Sequence, residues 1–329
     1  MILVFFRHLG DSWFPALAPV FTGIYTFHMP LFFVLSGLFF NPRMHFVDLV
    51  GKRAKTLLIP YYVFSVFALI GPMIKLLRPQ LYTAAGKSAE VHPLTVILNI
   101  VFAQGNSGLW FLWALFVAFL ALWLLVKITR GNPPALLIVL LVFIGVNFAI
   151  NQVPEVPNLP FQLSKIFEAT AYVGFGYLLA NTVDIKKIHP LPSIKQILQF
   201  VVLFATFIVM EHFYPAFPLV SRDNPATYVF AFLITITGIA FAISMSLLLP
   251  TIPWLTAIGQ FRLVFYSLND VALKIVKFVL FSVGHVPIAT FSFSAQLLMG
   301  ILIVSIALVL CYWANEFIQH HAKWITGTF

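Results

Sequence analysis

Long apolar runs and short polar breaks alternate along the whole chain. The runs are about as long as the roughly 20 residues an α-helix needs to cross a bilayer. They are continuous, whereas a membrane β-barrel would show alternating segments of about 10 residues. The pattern predicts ten spans: Met1–Phe14, Val20–Phe40, Thr56–Ile74, Leu109–Val126, Ala135–Val153, Ile166–Val183, Gln196–Met210, Thr227–Leu249, Ile258–Val283 and Phe293–Asn315. Leu94–Ala103 is a short or re-entrant piece before the fourth. Asn41-Pro42, Gly131–Pro134, His189–Pro192 and Pro250–Pro253 separate the runs, because proline cannot continue a helix interior. Backbone in a membrane must satisfy its own hydrogen bonds, so these breaks belong at interfaces or against protein. The expected class is an all-α, polytopic integral membrane bundle, one domain over residues 1–329. The opening run, Met1–Phe6, is too short to span. Either the first helix continues through Leu9–Phe14 or the natural N-terminus lies upstream.

Composition agrees with this reading: 61% of residues are hydrophobic and 9% charged, against about 25% charged in a soluble protein. The net charge of +9 is then a topology signal, since Lys and Arg gather in cytoplasmic loops, and nucleic acid is not the expected partner. With Asn41–Lys55 placed in the cytoplasm, ten of the 19 Lys and Arg fall on that side, five on the other and four in or near spans. Both termini are expected inside. Cys311, the one cysteine, cannot form an intramolecular disulfide.

Ionisable groups inside spans are costly and mark either function or a paired structural contact. His8 and Asp11 are three apart and share a face if the helix continues. A carboxylate there would orient the imidazole as a general base; otherwise both are solvated groups at a helix end. His28 precedes Pro30 in the second span. It is placed to face His8, or else to bond backbone at an interface. Lys52, Arg53 and Lys55 suit the phosphates of an anionic ligand, although the positive-inside rule alone also explains them. Asp270 and Lys274 are spaced for an i,i+4 pair on the most polar span. Trp110 and Trp113 read as packing or interfacial aromatics, and the histidine spacing offers no metal-ligand set.

FHMPLFFVLSGLFF (Phe27–Phe40) followed by KRAKTLLIPYYVF resembles the signature of the acyltransferase-3 family of bacterial membrane O-acyltransferases, most nearly its fucose 4-O-acetylase-like branch. ILVFFRHLG is similar to the family's first-helix end, LWFLWALF (Leu109–Phe116) to its fourth-helix motif, YVGFGYLLAN (Tyr172–Asn181) to a later helix and IGQFRLVFY (Ile258–Tyr266) to the penultimate one. The resemblance implies a ten-helix enzyme of the bacterial cytoplasmic membrane. Such an enzyme moves an acyl group, typically acetyl, from acyl-CoA to a hydroxyl of a sugar or cell-envelope glycan, with no permanently bound cofactor. It implies His8 as catalytic base and the Lys52–Arg53–Lys55 hairpin as the acyl-CoA phosphate site. Thr56 stands where the family's hairpin has its second arginine, and Asn269 where its penultimate motif ends in histidine.

Transfer to an alcohol needs a base for the hydroxyl proton and donors for the developing oxyanion. His8, oriented by Asp11, is the expected base. His28 is the expected second group, holding the acceptor or donating to the thioester oxygen. No Gly-x-Ser-x-Gly elbow indicates a serine acyl-enzyme. The alternatives are a transporter or flippase for a glycan precursor, and a non-catalytic membrane protein that keeps the fold. Paired interrupted helices in repeated halves, the usual mark of a transporter, are absent.

Overall fold

The computed structural model describes residues 1–69, 93–104, 107–153, 159–182, 193–214, 225–250, 252–284 and 286–326, which are helices and short connections with no strand. Six of these helical stretches are long and apolar enough to cross a membrane: Pro15–Gly37, Trp110–Ile128, Pro133–Asn151, Ile194–Phe213, Pro225–Leu248 and Phe293–His321. The Lys75–Pro93 segment and the His189–Pro192 break lie almost wholly outside the described residues.

The first expected span, Met1–Phe14, is not one continuous helix. Helix α1 covers only Ile2–Arg7 and closes in a turn where Gly10 takes φ +92, a left-handed value that favours glycine. The chain re-enters through a 3₁₀ turn at Pro15–Leu17 and continues as α2, Ala18–Gly37. Proline at the start of a helix gives up only an N–H that has no intrahelical partner.

The third span begins earlier than its charges suggested. Residues 46–69 are helical throughout: α3 (Phe46–Arg53), a π-helical turn (Ala54–Leu58), α4 (Ile59–Ser65) and a 3₁₀ turn. Lys52, Arg53 and Lys55 therefore sit within a helix and not in a hairpin loop. Pro60 accounts for the wide turn, because its ring clashes with the carbonyl four residues back and it has no N–H to offer.

The remaining helices are α5 (Pro93–Val101), α6 (Trp110–Ile128), α7 (Pro133–Asn151), α8 (Ile166–Thr182), α9 (Ile194–Phe213), α10 (Pro225–Leu248), α11 (Pro253–Gln260), α12 (Arg262–Lys277) and α13 (Phe293–His321). Helix α8 is the hub and packs on α2, α6 and α7. Lipid is as apolar as a helix face, so membrane helices associate through close packing over small residues. Here that packing is reciprocal. A Cβ on Gly37 of α2 would overlap the Val173 carbonyl of α8, and one on Gly176 of α8 would overlap the Val34 carbonyl of α2. Helix α10 closes the other side of α2. Thr235 donates to the Thr26 carbonyl at 2.9 Å, and Gly238 admits the Phe27 ring.

A second apolar cluster joins α1, the start of α2, α12 and α13 through Phe5, Leu9, Phe14, Phe21, Phe265 and Leu273. Helix α9 is peripheral and exposes Ile194, Leu198, Val202 and Val209.

Candidate active site

His8 sits in the turn that follows α1, where its backbone N–H bonds to the carbonyls of Val4 and Phe5 at 3.1 Å each. The turn is held from a distant helix. Lys277, the last residue of α12, donates Nζ to the His8 and Leu9 carbonyls at 3.2 Å each. The last carbonyls of a helix lack intrahelical donors, and a cation is well placed against them. Leu9 is fully buried in the second cluster, which anchors the other side of the turn.

Asp11 does not orient His8. The helical face that would join them ends at Arg7, and Asp11 is exposed and paired with Arg7 at 3.7 Å. The carboxylate that acts most on His8 electrostatically is Asp270 of α12, opposed by Arg7, Lys277 and Lys274. Asp270 also forms the expected pair with Lys274, at 2.6 Å.

His28 is 4% exposed, and its Nδ1 lies 3.0 Å from the Ile24 carbonyl one turn back. A carbonyl can only accept, so Nδ1 carries the proton and Nε2 of the neutral ring is an acceptor. That suits holding a hydroxyl by its hydrogen. It does not suit donating to a thioester oxygen, the other expectation for this residue. His8 and His28 are close enough for each to feel the other's charge. The Arg7 guanidinium lies 5.2 Å from the Tyr25 ring centre, and the Tyr25 ring lies 5.6 Å from the His28 ring.

From His28 a stripe runs along α2 toward its Gly37 end through Phe32, Leu35 and Ser36, spaced i+4, i+7 and i+8, and Phe39 follows in the turn beyond. Those four residues line a cavity of about 410 Å³, walled also by Met245 of α10 and Arg262 of α12. Ser36 is eight positions from His28, about 12 Å at 1.5 Å per residue. A larger cavity of about 480 Å³ lies between α1, α11, α12 and α13; Ser305 and Tyr312 are the polar side chains in an otherwise apolar lining.

The structure separates the basic trio. Lys52 and Lys55 are exposed, whereas Arg53 is half-buried with its guanidinium 3.7 Å over the Phe119 ring of α6. Phe40 stacks on the same ring at 5.9 Å. Arg53 and Arg262 are near enough to feel each other's charge, and neither has an ion-pair partner among the described residues. The Thr56 hydroxyl bonds back to the Lys52 carbonyl at 3.0 Å.

Two contributors were missed in sequence. Lys277 is one more charge on the polar span that carries Asp270 and Lys274, and its spacing does not point to His8. Tyr266 donates its hydroxyl to the Gly108 carbonyl and packs its ring against Phe32 and Phe111, joining α12 to α2 and the start of α6. Asn269 is buried and donates Nδ2 to the Tyr266 carbonyl. Trp110 and Trp113 pack as expected, against Phe33 and Phe161.

The distant segments singled out in sequence thus meet around α2: Phe33 with Trp110 and Phe111, Gly37 with Val173, Val34 with Gly176, and Phe32 with Tyr266. The family model described as an acyltransferase domain, acyltransferase 3, matches residues 1–315. The chain belongs to the acyltransferase-3 family. Among similar proteins, nodulation protein NolL of Mesorhizobium japonicum is 29% identical over 120 residues, 35% of this chain and 28% of that protein. Nodulation protein NolL of Sinorhizobium fredii is 33% identical over 123 residues, 36% of this chain and 29% of that protein. The chain spans under a third of the length of these relatives. No solved structure matches it.

Proposed function

We propose that this acyltransferase-3 member transfers an acyl group, acetyl in the first instance, from acyl-CoA to a hydroxyl of a sugar or cell-envelope glycan. The observation that carries the reading is the layout along α2. His28 lies midway along α2 with His8 within its field, and an apolar cavity continues the His28 stripe past Ser36, about 12 Å along the helix, with Arg262 in its wall. An acyl thioester on a long arm with a phosphorylated head has that distribution of charge.

His8 is the general base that takes the acceptor's proton as its oxygen attacks the thioester carbonyl. His28 accepts from a neighbouring hydroxyl of the acceptor and fixes its position, which leaves the attacking hydroxyl's proton to His8. Arg53 holds donor phosphate, with Lys52 and Lys55 contributing a field from the surface. The collapse of the tetrahedral intermediate expels CoA as thiolate, and the proton held by the imidazole is available to it. The basic end is cytoplasmic, as the Lys and Arg count suggests, in a bacterial inner membrane with both termini inside. The finer form of the reading has a fucosyl hydroxyl as acceptor.

The test uses purified protein in proteoliposomes with acetyl-CoA and either a fucosylated oligosaccharide or its unfucosylated counterpart. Thiol release and label in the glycan are measured together. His8→Gln, which keeps polarity but removes the base, should lower transfer by about a hundred- to ten-thousand-fold without loss of the folded protein. Transfer in the parent should fall as pH drops through the imidazole range, since only the neutral ring accepts a proton. A fully active His8→Gln protein would remove His8 as base and leave His28 in its place.

A further inference from the structure

Arg53 and Arg262 lie 209 positions apart in the chain, on α3 and at the start of α12, yet the fold brings them within each other's field. Two guanidiniums that feel each other's charge, with no ion-pair partner among the described residues, repel by an amount that rises where water is excluded. Their surroundings favour an anion between them. The Arg53 guanidinium carbon sits 3.7 Å over the Phe119 ring centre, and its Nε is buried with no hydrogen-bond partner among the described residues. A guanidinium stacked by its face keeps its N–H edge free for the oxygens of a phosphate. Arg262 lines the 410 Å³ cavity together with Ser36 and Phe39. Phe39 and its neighbour Phe40 thus connect the two arginines, one in the cavity wall and the other stacked on the ring beneath Arg53. Thr56 contributes nothing to such a site, because its hydroxyl is turned onto the Lys52 carbonyl.

We propose that Arg262 is the second phosphate-binding guanidinium of the donor site: with Arg53 it brackets the diphosphate of acyl-CoA, and the acyl-pantetheine arm lies along the apolar stripe of α2 toward His28. The proposal rests on the acyl-CoA reading above and adds a residue to it. The pair is assembled from two distant helices, so the site needs the tertiary fold and not a basic hairpin alone. The apolar trough takes the uncharged arm, and the cations take the head. An anionic lipid shares the phosphate chemistry but would bring two acyl chains to a trough that is about 410 Å³ in all.

The experiment measures binding of unacylated CoA to the purified protein in nanodiscs of zwitterionic lipid, by calorimetry. The proteins are the parent, Arg53→Gln, Arg262→Gln and Arg262→Lys, and pantetheine, which lacks the phosphates, is the control ligand. Arg262→Gln should weaken CoA by roughly ten- to hundred-fold, as loss of a charge-assisted phosphate contact does, and leave pantetheine unchanged. Arg262→Lys keeps the charge without the fork, so it should bind more weakly than the parent and more tightly than Arg262→Gln. If Arg53→Gln loses CoA while both Arg262 variants bind like the parent, the Arg262 assignment fails and the donor reading stands. If the parent itself ignores CoA, the donor reading fails and the proposal with it. If CoA binding is parental in every variant but Arg262→Gln alone loses retained phosphatidylglycerol, the pair serves a lipid headgroup and the proposal is overturned.

Discussion

Lys277→Met is the perturbation that tests whether the fold positions His8. Methionine keeps most of the apolar stem that packs beside the second cluster and removes only the ammonium. The loss is two hydrogen bonds from a charged donor, at 3.2 Å each, to the carbonyls of His8 and Leu9. A hydrogen bond to a charged group contributes about 1.5–3 kcal/mol net. These two are at the long end of the range, and they share one ammonium that is partly open to solvent, so about 2 kcal/mol in total is the reasonable figure. If that holding energy is spent on keeping the imidazole at its post, its loss lowers the rate by roughly ten- to hundred-fold at 1.4 kcal/mol per factor of ten. The assay is release of CoA thiol from acetyl-CoA in proteoliposomes, with kcat and KM for the donor determined separately. Lys277→Met should lower kcat and leave the donor KM within about two-fold, because the phosphate end of the cavity is untouched. Lys277→Arg, which can still donate to two carbonyls, should recover most of the rate. A rise in KM with kcat intact would place Lys277 in donor binding. Unchanged kinetics with a lowered melting temperature would make it a structural strut and refute the positioning argument.

The helix interface makes its own prediction. Gly176→Ala should destabilise the bundle by about 1–3 kcal/mol or more, read as a lower melting temperature in detergent, because the added methyl meets the Val34 carbonyl and not a side chain that can turn away. Gly145→Ala on α7, where nothing lies within 4 Å of the new Cβ, should be neutral or slightly stabilising. Asp11→Asn should leave transfer within about two-fold of the parent, since Asp11 is exposed and paired with Arg7; a loss like that of His8→Gln would restore it as the orienting group.

What was legible in sequence was whatever depends on local pattern. The apolar run from Val20 and the prolines around it were enough to place α2, and the i,i+4 spacing of Asp270 and Lys274 was enough to pair them. The misreadings came from applying local pattern past the end of an element. Three-residue spacing puts Asp11 on the His8 face only while a helix continues, but α1 ends at Arg7 and Gly10 takes a left-handed φ. Lys52, Arg53 and Lys55 look like a loop in sequence because cations usually mark an interface. A long side chain can instead leave a helix toward water or lie on an aromatic face, as Arg53 does on Phe119. The contacts that assemble the candidate site were invisible for a different reason. Lys277 reaches across 269 residues to the His8 carbonyl, and Arg262 comes within the field of Arg53 only through the tertiary packing of α12. Such contacts leave no periodic trace, because each partner obeys only the pattern of its own helix. The glycines that decide the α2–α8 approach are intermediate. Gly37 and Gly176 are small residues inside apolar runs, a known mark of close helix packing, but sequence alone does not say which two helices they join. The site of this protein therefore depends less on any one motif than on the depth to which α8 can sink onto α2, since that approach fixes the end of α2 against which Arg53, Phe40 and the cavity are arranged.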